Sequence, residues 1–180
     1  MENIKTNTIT NWQERKTIAQ EKLEEKLEQN YFSVKPKNYE NLDIIQQNYF
    51  SRLDNYSGQF IEEKFYMEQN IEETQGIFSS KNEYKEAFTE LKKFFALTKL
   101  YGKGLAMTSP KVDEVWHQFI LFTREYHSFC DEFIGRYLHH EPNIPSRMTK
   151  KSLDESFHNF VHSYRQTYGK IPEIWGIKQS

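Results

Sequence analysis

A chain of 180 residues is long enough for one domain with a substantial core and short for two. With 37% hydrophobic and 28% charged residues it reads as soluble, and no apolar run nears the ~20 residues needed to cross a bilayer. The formal net charge of -2 gives no general electrostatic pull towards nucleic acid or an anionic membrane, and a single cysteine cannot close an internal disulfide, so a reducing cytoplasm is the simplest setting.

Residues 1–10 read as a polar start without the apolar region of a secretory signal. From 11 to 30 the pattern is helical, with Ile18, Ala19, Leu23 and Leu27 as a narrow stripe and EKLEEKLEQ supplying i,i+4 charge pairs. It reads first as a solvated helix with one docking face, the stripe being too short to sustain a coiled coil; docking of a protein partner through it is the minority reading. The segment 31–180 reads as the helical domain proper. Pro36 places a loop before a helix expected over 41–56, with Leu42, Ile45, Tyr49 and Leu53 at 3–4 spacing. Ser57-Gly58 interrupts it, and a further helix is expected from Gln59 to about Ile71. Ser79 or Ser80 suits an N-cap for a helix over 82–101, with Tyr84, Phe88, Leu91, Phe95, Leu97 and Leu100 as its stripe. Ser109-Pro110, followed by Asp113 and Glu114, is a strong start signal for the next helix. A helical pattern returns through Ile134, and Gly135 is its expected stop. Two prolines then mark HHEPNIPSR as a loop. Ser152 is expected to cap a last helix over 153–168, with Phe157, Phe160, Val161, Tyr164 and Tyr168 inward, and Trp175 is expected to pin the tail. The fold class is therefore all-α: one compact domain of six or seven helices. Its core is rich in rings, given 14 Phe, 11 Tyr and 3 Trp.

Groups able to bind a metal or move a proton are concentrated between Ser109 and Pro142. Asp113 and His117 are i,i+4 on one helix, at the edge of the apolar arc formed by Val112, Val115, Trp116, Phe119 and Ile120. A carboxylate beside an imidazole at a core margin can orient a metal-bound histidine; it can equally be a helix-edge hydrogen bond. In an unbroken helix Cys130 would lie ~20 Å of rise beyond His117, too far for one metal. A joint site needs a turn near Phe122-Thr123-Arg124. The thiol otherwise falls on the Val112/Trp116 face as a buried, inert group, with Tyr126 beside it. Adjacent side chains diverge, so one of His139 and His140 can fold back towards His117 while the other faces solvent. His158 and His162 have metal-site spacing but point away from the core, and His127 is not distinguished. Gly-rich phosphate loops, HExxH, CxxC and GxSxG are missing from the sequence.

The segment VDEVWHQFILFTREYHSFC, with GRYLHHEP after it and YGKIPEIW at the end, resembles the glycine-rich domain-containing protein-like family. The likeness covers 105–142 and the tail, and it lacks the family's glycine-rich extension. It implies a compact helical domain whose signature includes Asp113, Trp116, His117, Tyr126, Cys130 and His139 or His140, and it implies no particular activity. Two functions follow from the residues, the first being the preferred reading and the second the alternative. One is a non-enzymatic interaction domain with a structural Asp-Trp-His-Cys-His node. The other is a zinc or iron site, catalytic or not, built from His117 and His139 or His140 with Asp113 or Cys130.

Overall fold

The computed structural model describes residues 22, 32–69, 77–102, 104–141 and 149–178. The charged helix expected at 11–30, with the partner-docking reading it carries, and much of the loop at 139–147 therefore lie outside the described residues. The chain divides between Ser33 and Val34, and Val34–Ser180 forms the helical unit. Among the described residues every regular element is helical. A 3₁₀ turn (Tyr39–Asn41) precedes α1 (Ile44–Asp54), α2 (Gln59–Gln69), α3 (Lys81–Tyr101), α4 (Pro110–Leu121) and α5 (Thr123–Phe129). The last of these runs directly into one π-helical turn, Cys130–Ile134. Helix α6 (Lys150–Thr167) and a 3₁₀ turn (Glu173–Trp175) close the fold. No helix among the described residues is long and apolar enough to cross a membrane.

Capping chemistry sets the helix starts and corrects two of the expected ones, those of α1 and α6. In α1, Asp43 and Gln46 form a reciprocal capping box, with Asp43 Oδ1 accepting from the Gln46 N–H at 2.8 Å. This starts the helix later than the periodicity suggested and leaves Ile45 79% exposed; Phe50 and Leu53 are the buried pair. Ser80 caps α3, so that helix begins at Lys81. Thr149, whose hydroxyl accepts from the Ser152 N–H, caps α6 three residues before the expected start. Phe157 and Leu100, expected inside, are exposed, whereas Phe160 and Tyr164 are buried.

Helix α3 runs through the middle of the domain and packs on α4, the π turn and α6. Ala87, Leu91, Phe94, Phe95 and Leu97 are buried, as are the polar Thr89, Glu90 and Lys92, so this helix is enclosed on more than one face. Its rings meet those of its neighbours: Phe95 lies 5.3 Å from Trp116 and 5.2 Å from Phe129, centroid to centroid. Fully burying a side chain such as Phe95 contributes roughly 1.5–3 kcal/mol. Gly58 is required between α1 and α2, because a Cβ there would sit 2.4 Å from the Phe88 ring.

Two buried charges lie on α3. Glu90 accepts hydrogen bonds from the Tyr164 hydroxyl (2.7 Å) and the Trp175 indole N–H (2.6 Å), while Lys93 pairs with its other oxygen at 2.8 Å. Trp175 thus pins the tail as expected, onto an acceptor that the sequence did not reveal. The Lys92 ammonium donates to the backbone carbonyls of Asp54 (2.8 Å) and Tyr56 (3.4 Å), capping the end of α1.

Candidate metal centre

Ser109 caps α4 by accepting from the Val112 N–H at 3.3 Å, and Pro110 supplies its first turn. This start fixes the helical phase. Val112, Val115, Trp116 and Phe119 are buried, and Asp113 and His117 stand at the margin. At Phe122 (φ -84°, ψ 66°) the backbone leaves helical geometry, and α5 begins at Thr123. The turn that a joint site would need is therefore present, at its expected place. It folds Tyr126 back beside Trp116, and the indole N–H donates to the Tyr126 hydroxyl at 3.0 Å.

The π turn ends at Gly135, whose φ of +85° lies in the left-handed region that favours glycine. From here a strap without regular structure, 136–141, returns across α4 and α5. Tyr126 donates its hydroxyl proton to the Leu138 carbonyl at 2.5 Å. Two residues further on, His140 Nε2 lies 2.7 Å from Asp113 Oδ1.

Asp113 therefore faces two imidazoles. Its second oxygen is 3.6 Å from His117 Nε2, while His117 Nδ1 is 3.6 Å from Glu114 Oε2. The His140 ring stands edge-on to Trp116 at 4.4 Å and lies 4.5 Å from the His117 ring. One donor atom from each of Asp113, His117 and His140 can be chosen so that all lie within 4.8 Å of one another. Side-chain exposure grades from 13% at His140 through 31% at Asp113 to 47% at His117, so the group is rooted in the core and open on the His117 side.

The other candidates are placed apart from this group. His139 is exposed and packs against the Tyr137 ring at 4.9 Å. Cys130 is fully buried; burial pushes its thiol up, with the Leu138 N–H and the nearby Tyr126 hydroxyl pulling the other way, so it stays a protonated thiol at neutral pH. Trp116 and Tyr126 form the wall behind the site, and burial drives the Tyr126 hydroxyl far above its ordinary range. His127 pairs with Asp131 at 3.1 Å on the surface, and His158 and His162 are exposed on α6. Sequence reasoning left His139 and His140 equivalent and missed Leu138 altogether. No periodicity marks a strap anchored through its backbone.

The fold and this site define an all-α domain with a two-histidine, one-carboxylate group on an aromatic wall. The chain belongs to the UCP032817-like family, whose model matches residues 52–167. That match corrects the resemblance to the glycine-rich domain-containing protein-like family. The resemblance rested on one motif and the tail, whereas the match runs from α1 through α6 and includes Asp113, His117 and His140. The family is uncharacterised, so membership transfers no activity. No curated protein and no solved structure matches the chain.

Proposed function

We propose that this protein binds a divalent transition metal, zinc or iron(II), through Asp113, His117 and His140. One observation carries the reading: a single carboxylate presents one oxygen to each of two imidazoles drawn from separate parts of the fold. Zinc bonds to nitrogen and oxygen are ~2.0–2.2 Å long, so the three side chains need only small rotations to share an ion. The donor set holds no thiolate, which fits two histidines and a carboxylate at a zinc site or an iron(II) site. Three protein ligands leave a position for water or substrate, and the exposed His117 side gives access to it. Metal-activated water would then support hydrolytic chemistry, and iron would support oxidative chemistry. Glu114, near the outer nitrogen of His117, supplies the type of supporting carboxylate that orients a ligating ring.

Elemental analysis of the untagged, natively purified protein tests this directly. Near-stoichiometric metal is expected in the wild type, falling to background in both His117→Ala and His140→Ala. Metal-free protein from metal-replete cells that also fails to bind added zinc or iron(II) would reduce the three residues to a surface hydrogen-bonded group.

A further inference from the structure

We propose that Tyr126 is a positioning residue for this centre, acting on His140 through Leu138 and Trp116; the proposal rests on the metal-site reading. The tyrosine touches none of the donor atoms. It is fully buried, and its one hydroxyl oxygen serves two partners. It accepts the Trp116 indole N–H at 3.0 Å and donates to the Leu138 carbonyl at 2.5 Å. Each partner governs His140 in a different way. Leu138 belongs to the strap from which His140 projects, and Trp116 is the ring against which His140 packs at 4.4 Å. One oxygen thus fixes both the backbone that carries the ligand and the surface that orients it.

The strap makes this role necessary. Asp113 and His117 are held one turn apart by α4, so their relation is set by the helix. His140 has no helix of its own. Its place is set by the Tyr126 contact with Leu138 and by the Asp113 contact that metal would reorganise. If the strap samples several conformations, apparent affinity falls by the fraction of time His140 is in place. Loss of groups that orient a ligand commonly costs 10–100-fold in metal affinity. The helix break at Phe122 and the π turn then have a joint consequence. The first brings Tyr126 to Trp116, and the second turns the chain so that the Leu138 carbonyl reaches the Tyr126 hydroxyl.

The test compares Tyr126→Phe with Tyr164→Phe. Both delete one buried phenol oxygen, but Tyr164 serves Glu90 at the tail. Zinc and cobalt(II) titrations of the full-length protein give affinity, the cobalt(II) absorption spectrum reports ligand geometry, and urea unfolding gives stability. Tyr126→Phe is expected to weaken zinc binding about 10–100-fold and alter the cobalt(II) spectrum, while Tyr164→Phe loses stability and keeps wild-type affinity. Wild-type affinity in Tyr126→Phe, or equal weakening in both variants, overturns the proposal. Histidine ring ¹H–¹⁵N spectra of metal-free protein separate this failure from failure of the metal reading. If the wild type binds no zinc, that reading falls. The positioning role then stands if the His140 signals shift or broaden in Tyr126→Phe and is lost if they stay unchanged. Should Tyr126→Phe not fold, Leu138→Gly loosens the same strap without deleting a ring, and unchanged zinc affinity there also overturns the proposal.

Discussion

Lys92 shows how far one side chain can depart from its sequence context. It lies in LKKFF on α3, where two adjacent lysines suggest a solvated face, yet it is 5% exposed. Burial brings its pKa down to about 8; Asp54 pulls it up and Lys93 adds to the lowering. An unfolded lysine keeps its proton to about pH 10.4. Between those values the unfolded chain holds a proton that the folded chain has released, so this group makes stability rise with pH from 8 to above 10. Below pH 8 both states are charged and its burial cost of about 3 kcal/mol is fully present. Urea unfolding at pH 7.5 and 9.5 should show the wild type gaining about 2 kcal/mol relative to Lys92→Met across that interval. A difference between the two proteins that is flat with pH would show that Lys92 stays charged at its carbonyls. Neither Lys92 nor Glu90 was legible as a buried charge, because a single apolar stripe cannot reveal a helix enclosed on several sides. Asp113 and His117 were legible as neighbours because i,i+4 spacing is a local rule. The contact of Asp113 with His140 spans 27 positions and depends on two backbone irregularities.

Those irregularities explain what was and was not legible in α4, α5 and the π turn. Apolar residues keep a helical rhythm on both sides of Phe122, so periodicity alone reads almost as one helix; only the distance argument for Cys130 pointed to a break. Phe119 and Tyr126, 5.1 Å apart between ring centroids, now pack across that break instead of lying along one face. Gly135 was legible as a stop, and its left-handed φ gives the physical reason. Gly135→Ala should cost about 1–2 kcal/mol, because a Cβ in that region meets its own carbonyl. It should also weaken zinc binding by tilting the start of the strap. Gly104→Ala is the matched control, since its backbone is not left-handed and a Cβ there meets nothing within 4 Å. Equal behaviour of the two alanine variants in unfolding and zinc titration would show that Gly135 imposes no direction on the strap.

The all-α class and ring-built interior were legible from composition and rhythm because they are averages over many residues. How the tail closes the domain was not, because it depends on one carboxylate. Glu90 is 2% exposed and joins α3 to α6 through Tyr164, to the tail through Trp175, and to Lys93. Around Trp175 the packing is aromatic, with Phe160 at 4.4 Å and Phe94 at 6.2 Å between ring centroids, so the indole N–H has Glu90 as its acceptor in apolar surroundings. Thr108 adds a hydrogen bond to the Trp175 carbonyl at 2.9 Å. Glu90→Gln keeps the shape and removes the charge. The new amide can accept on only one side, so either Lys93 meets an N–H donor or Tyr164 and Trp175 do. Breaking one side of a buried pair costs ~3–5 kcal/mol. The variant should therefore unfold at distinctly lower urea concentration. Under native conditions, amide exchange over 171–177 should quicken well before that over α4, because the tail loses its acceptor while the α4 cap at Ser109 is untouched. If exchange in the tail and in α4 accelerated together, Glu90 would be a support of the whole core and not the clasp of its tail.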